Sequence, residues 1–177
     1  SLLADAAAYR FARSLYDSGN YAMAIRQLTR GEGGKGQPDR GGQVLLGKAY
    51  LYNNDAAAAR NVFASLINSG ANPAQPDDHA LEAARGLDLL DVGASRFGKA
   101  VGELSDYEHL RRAQVYQFNR DFADARLHYA AIMERHPESG IVPDVLSQEL
   151  RKLANQLHDL ASGRDSEEEK LELTSRG

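Results

Sequence analysis

The sequence contains no cysteine and no tryptophan among its 177 residues. Without thiols there is no disulfide framework, no cysteine-ligated zinc, no iron–sulfur cluster and no cysteine nucleophile. β-Branched residues are scarce as well: Val, Ile and Thr together number 13, against 49 for Ala and Leu. That balance leaves little from which to build a sheet and favours helix throughout. Long apolar runs are missing, and nothing approaches the roughly 18 consecutive residues that a bilayer span requires. There is no surplus of positive charge either, since 21 Lys and Arg face 25 Asp and Glu for a net charge of -4. A general basic face for nucleic acid or an anionic membrane is therefore disfavoured, because both rely on cations meeting phosphates.

What is present suits a folded, all-α protein of one ordinary domain or a short array of small units. A chain this long buries roughly 70% of its unfolded surface. Charge is balanced up to residue 104, with 11 of each sign, whereas residues 105–177 set 10 basic against 14 acidic. Much of that excess lies in Asp165-Ser166-Glu167-Glu168-Glu169, so residues 162–177 are expected to form an acidic, frayed tail. Opening at Ser1 without a charged stretch followed by an apolar core, the chain reads as a processed or excised fragment.

Three segments share one phrase: Asp17-Ser18-Gly19-Asn20-Tyr21-Ala22-Met23-Ala24, Tyr52-Asn53-Asn54-Asp55-Ala56-Ala57-Ala58-Ala59 and Phe118-Asn119-Arg120-Asp121-Phe122-Ala123-Asp124-Ala125. Each reads as a polar turn between two amphipathic helices. Before the turn, a small residue (Ala12, Gly47, Ala113) precedes a bulky one (Leu15, Tyr50, Tyr116) by three positions. After it, an alanine (Ala24, Ala59, Ala125) precedes a bulky residue (Leu28, Phe63, Tyr129) by four. Such spacing keeps each pair on one helical face, the small member letting backbones approach and the large one filling the groove. The turns at Asn20, Asp55 and Asp121 are 35 and 66 residues apart, and 66 is twice 33, so a weaker fourth unit fits between the last two. Helices are expected near 2–17, 21–30, 43–53, 56–68, 78–91, 95–104, 106–119, 122–136 and 144–161.

These residues resemble the tetratricopeptide repeat. Leu46-Gly47 and Tyr50 carry the likeness in the second unit; Tyr116, Asp121-Phe122, Ala125, Tyr129 and Pro137 carry it in the last. The first unit matches through Ala12, Gly19-Asn20-Tyr21 and Ala24, and the usual first-helix Trp is missing throughout. The resemblance implies an α-solenoid of antiparallel helix pairs, with units near 5–38, 40–73, 77–105 (degenerate) and 106–139 and a C-terminal cap at 143–161. In that cap Leu146, Leu150, Leu153, Leu157 and Leu160 form a stripe opposite Arg151, Lys152, Gln156 and Asp159, suited to sealing the array or to self-association. The family's concave groove maps onto Tyr9, Arg13 and Tyr16; Val44, Lys48, Leu51 and Tyr52; and Leu110, Gln114, Gln117 and Phe118. The Lys and Asn set with which chaperone-binding members hold a C-terminal carboxylate is not reproduced. The turn His136-Pro137-Glu138-Ser139 and Pro143 resemble bacterial envelope arrays, which implies a lean toward the periplasm.

No catalytic constellation emerges from the remaining residues. Gly31-Glu32-Gly33-Gly34-Lys35-Gly36 has dinucleotide-loop spacing but is expected to follow a helix rather than a strand, and it runs into further glycines as a connection. Gly93-Ala94-Ser95-Arg96-Phe97-Gly98-Lys99-Ala100 imitates a phosphate loop but ends in Ala where a magnesium-binding hydroxyl belongs. His79, His109, His128, His136 and His158 include no pair three to five apart, so helical metal pairs are absent. Asp77-Asp78 sits at an expected helix start, where carboxylates cap free amides. The expectation is a non-enzymatic scaffold, without cofactor or metal, that holds a protein or peptide segment in a concave groove. The alternative is a non-catalytic helical arm of a larger enzyme such as a lytic transglycosylase.

Overall fold

A computed structural model of the chain describes residues 2–30, 38–92 and 104–175. Among them the protein is all-α, without strands. The helices are α1 (Leu2–Asp17), α2 (Tyr21–Arg30), α3 (Arg40–Tyr52), α4 (Ala56–Asn68), α5 (Asp78–Val92), α6 (Asp106–Phe118), α7 (Phe122–Arg135) and α8 (Ser147–Ser175). A π-helical turn, Val142–Leu146, precedes α8. The helix expected near 95–104 and both glycine-rich segments, 31–36 and 93–100, lie outside the described residues, apart from Leu104. The chain forms two compact units, Ser1–Leu104 and Ser105–Gly177.

One turn is built three times. Gly19, Asn54 and Arg120 occupy the same place in it and all take left-handed backbone, with φ of 78°, 61° and 64°. The amides of the next residues, Asn20, Asp55 and Asp121, donate back five positions to the carbonyls of Leu15, Tyr50 and Tyr116 at 2.8, 2.9 and 2.9 Å. Those of Gly19, Asn54 and Arg120 reach the carbonyls of Tyr16, Leu51 and Gln117 at 2.9, 3.2 and 3.0 Å. These are the two bonds that close a helix C-terminus when one residue turns left-handed. The residue that ends one helix then opens the next, its carbonyl accepting from Ala24, Ala59 or Ala125. The shared phrase in the sequence thus corresponds to shared backbone geometry.

In the first unit, small residues set how closely helices pack. Ala12, Ala24 and Ala59 are fully buried, and α3 touches both α1 and α5 as well as the helices between them. The tightest point is the fully buried ring of Phe63 on α4, which lies against backbone on two sides. A Cβ added at Gly47 on α3 would come within 2.5 Å of the ring, and one added at Gly86 on α5 within 2.5 Å of its other edge. Ion pairs tie α5 to the helices before it: Lys48 to Glu82 at 2.6 Å and Arg60 to buried Asp91 at 2.5 Å. Arg40 holds both carboxylate oxygens of Asp77 at 2.7 Å and also reaches Ser69 Oγ and the Leu66 carbonyl at the end of α4.

Helix α3 starts at Arg40, three residues before the expected 43. Asp39 caps it by accepting the Gly42 amide at 2.8 Å, so Gly41 and Gly42 belong to its first turn and not to a connection. Gly42 is buried there because a Cβ would lie 2.6 Å from Pro38.

In the second unit, α6 and α7 form a hairpin around Tyr116, Tyr129 and Ile132, all buried. Helix α6 begins in a reciprocal cap: Ser105 Oγ accepts the Glu108 amide, and the Glu108 carboxylate accepts the Ser105 amide. Of the leucine stripe expected for the cap, Leu146 just before α8 and Leu153 within it are buried and Leu150 and Leu160 are half-buried, whereas Leu157 is exposed. Gln156 departs from the expected solvent face by accepting a hydrogen bond from Gln117 of α6 at 2.9 Å. The backbone continues as helix to Ser175, past the expected cap boundary at 161, so the segment expected to fray is helical over most of its length.

Two substitutions test this packing. Gly47→Ala, with no free space beside the ring, should lower the stability of the first unit by about 1–3 kcal/mol in urea unfolding, with partial recovery when Phe63→Leu is added. An unchanged midpoint for Gly47→Ala would show that the ring is not clamped. Arg120→Gly removes a side chain from left-handed backbone and should raise the stability of the second unit by up to about 1 kcal/mol.

Candidate functional site

The expected groove positions of the first unit lie on α1 and α3. The turn after α1 brings Tyr21, the first residue of α2, against Tyr16, with ring centroids 5.4 Å apart and edge-on. Tyr52, the last residue of α3, stacks on Tyr21 at 5.5 Å and meets Tyr16 edge-on at 6.0 Å. The three rings form a ridge at the adjoining ends of three helices, and Tyr52 keeps 53% of its surface exposed. Burial pushes the Tyr16 hydroxyl above the ordinary tyrosine range, and the hydroxyls of Tyr52 and Tyr21 add to it. The three rings offer hydroxyl groups beside aromatic faces.

One turn further back along α1, Arg13 donates from Nε to both oxygens of Asp17 at 3.0 and 3.2 Å, which holds the guanidinium above its usual range. Both side chains are exposed, so a ligand carboxylate can displace Asp17 at small cost. Tyr9 and Tyr16 also pack on the core made by Ala12, Leu28, Leu45 and Leu46. Val44 is buried and Leu51 half-buried, so these two positions serve packing. Lys48 is committed: its ammonium bridges α3 to Glu82 on α5, and Glu82 also accepts from Arg85 at 3.0 Å. These cations, Lys48 first, hold the Glu82 carboxyl below its ordinary range.

The expected positions in the second unit have a different character. Leu110 and Gln117 are buried, Gln114 is half-buried, and Phe118 is exposed at the end of α6. Gln117 accepts from the Tyr129 hydroxyl at 2.7 Å and donates to Gln156, so its amide is used within the protein. Tyr129, fully buried and beside Glu149, has its hydroxyl pushed well above the ordinary range, chiefly by burial.

Two groupings went unforeseen. His109 on α6 and His128 on α7, both fully buried, meet through their Nδ1 atoms at 2.9 Å. A search for histidines spaced along one helix misses a pair that joins two. Their midpoint falls at the end of α6, so the fold of the hairpin about its turn was the available signal. The other grouping is Asp77, Asp78 and His79, whose ligand atoms lie within 4.8 Å of one another. Asp77 is taken up by Arg40 and caps α5 by accepting the Ala80 amide at 2.9 Å, the helix-start role expected for this acidic pair. A guanidinium already stands where a metal's charge would be needed.

No protein-family model, no curated protein and no solved structure matches the chain. No helix among the described residues is long and apolar enough to cross a membrane.

The Arg40 contacts lower the Asp77 carboxyl from 3.8 to about 2, with the Ala80 amide assisting. A depressed carboxyl favours the fold above its unfolded pKa, and the contribution fades as pH falls from about 4 through 2. The first unit should therefore lose stability across that window, and Arg40→Gln should flatten this part of the pH profile in thermal melts. Parallel profiles for the two proteins would contradict the clamp.

Proposed function

We propose that the chain is a non-enzymatic scaffold of tetratricopeptide-like helix pairs that holds an extended protein segment along α1 and α3. The solenoid reading is supported by the turn repeated at Gly19-Asn20, Asn54-Asp55 and Arg120-Asp121, and by the contacts of α3 with both α1 and α5 in the first unit. The observation that carries the binding reading is the ridge of Tyr16, Tyr21 and Tyr52 beside the exposed Arg13–Asp17 pair. Aromatic faces supply contact area at low entropy cost, and their hydroxyls can bond the backbone of an extended segment. Arg13 adds a cation for a carboxylate on that segment. A place in an envelope assembly or export complex belongs to the same proposal and rests on the turn at His136-Pro137.

Lys48 is left out of the recognition set because removing it unties α3 from α5. The proposal concerns the first unit, since Leu110 and Gln117 are spent on packing in the second.

A phage-displayed random-peptide library panned on the full chain tests this reading. Enriched peptides should share a consensus, and an Arg13→Ala/Tyr52→Ala variant with an unchanged melting temperature should bind them at least tenfold more weakly, in keeping with truncated aromatic and Arg anchors. Enrichment that survives in the variant, or no enrichment at all, counts against the proposal.

A further inference from the structure

We propose that the leading face of the first helix pair, formed by Phe11 and Leu15 of α1 and Met23 of α2, docks an amphipathic helix whose apolar stripe is flanked by acidic residues. The repeated turn supplies the register. Asn20 and Asp55 hold the same place in it, 35 residues apart, so each position of α1 and α2 has a counterpart in α3 and α4. Phe11, Leu15 and Gln27 correspond to Leu46, Tyr50 and Val62. Those three belong to the cluster through which the second pair packs on Ala12 and Leu28 of the first.

The first pair therefore presents side chains of a stacking face. Leu46 is only 8% exposed, whereas Phe11 in the same register is 54% exposed. Met23 shares the side of α2 that carries Gln27, four residues on, and is 41% exposed. A pair that ends an array against water carries polar residues on its outer face. Arg10, Ser14 and Gln27 fit that rule, since they stand where Leu45, Ala49 and Val62 stand in the second pair. Phe11 and Met23 break it. An apolar strip with polar margins has the composition of an interface with a partner rather than of a domain core.

Charge and shape define the occupant. Helices α1 and α2 carry Arg10, Arg13, Arg26 and Arg30 against Asp5 and Asp17, and Arg13 is engaged by Asp17. Arg10 adjoins Phe11 and rests its Nε on the Ala6 carbonyl of its own helix at 3.3 Å. Arg26 and Arg30 follow Met23 by three and seven residues, on the same side of α2. Cations thus border the strip on both helices, which favours an acidic partner. A second copy presenting the same face would set arginine against arginine, so a symmetric dimer is excluded as the occupant. A helix fits because the corresponding face of the second pair is covered by helices α1 and α2. Tyr9 and Tyr16 pack on the cluster with α3, so this face is separate from the tyrosine ridge.

A helix-biased peptide library, displayed on phage and panned on the full chain at low salt, tests the proposal. Enriched peptides should carry an apolar stripe at helical spacing with Asp or Glu beside it. The synthetic consensus peptide should bind Phe11→Ser/Met23→Ser about tenfold more weakly or worse. Arg10→Glu/Arg26→Glu should weaken the same peptide comparably and bind more tightly a twin in which Lys replaces each acid. Arg13→Ala/Tyr52→Ala should keep full affinity, which separates this face from the tyrosine ridge. Enrichment without acidic residues, binding that survives Phe11→Ser/Met23→Ser, or no enrichment overturns the proposal. So does a dimer of the chain alone, seen by sedimentation and dissolved by Phe11→Ser/Met23→Ser. Should a variant melt early, chemical-shift mapping of the peptide on the native chain decides: perturbations centred on Phe11, Leu15 and Met23 support the face, and perturbations centred on Tyr16, Tyr21 and Tyr52 overturn it.

Discussion

The packing of the first unit depends on one aromatic ring with no side chain beside it on two edges. Phe63 fills the space between α3 and α5 because Gly47 and Gly86 present bare backbone there. Burying a phenylalanine completely contributes about 3–5 kcal/mol, judged by what its removal costs, and this ring joins three helices at once. The alanines at positions 12, 24 and 59 do the same at lower amplitude. Close approach of the helices in turn brings Asp77, just before α5, within reach of Arg40, and Glu82 and Asp91 of α5 within reach of Lys48 and Arg60. Partly exposed pairs of this kind add little energy individually. Their effect is to fix register, which packing on small residues leaves poorly specified.

The two units solve the same problem with different materials. The first closes mainly on apolar contacts, with Asp91, paired to Arg60, as its one buried charged side chain among the described residues. The second buries His109, Arg112, Gln117, Asp124 and His128 within a single hairpin and its cap. Buried polar groups are stable only when bonded, and bonding makes them conditional on protonation or partner. Gln117 illustrates the point, since one amide serves both Tyr129 and Gln156 and so links α6, α7 and α8.

Much of the fold was legible because the information is local. The turn phrase, the small-to-large spacings and the leucine stripe depend on residues within one or two helical turns, and the helices from Tyr21 to Arg30 and from Ala56 to Asn68 lie where expected. The start of α3 was misplaced because Gly41 and Gly42 read as a loop, whereas Asp39 capping and the close approach of Pro38 make them helical. The end of α8 was misplaced because charge density argues for fraying but does not forbid helix. The site was less legible. Tyr9, Arg13, Tyr16 and Tyr52 are placed only by what the tetratricopeptide resemblance implies, and Tyr21 joins them only when α2 folds back. Lys48 and Gln117 have the same spacing, yet their partners Glu82 and Gln156 lie 34 and 39 residues away. Nothing in a single sequence distinguishes a polar side chain awaiting a ligand from one already engaged at that distance.

We propose that a protein segment lies along α1 and α3, beside the tyrosine ridge. Amide and tyrosine-ring chemical-shift mapping of the isotopically labelled chain, titrated with a library-selected peptide, tests it most directly. Perturbations should concentrate on Arg13, Tyr16, Tyr21 and Tyr52 and spread along α3 toward α5. Perturbations confined to the outer side of α4, or to α7 and α8, would contradict the account.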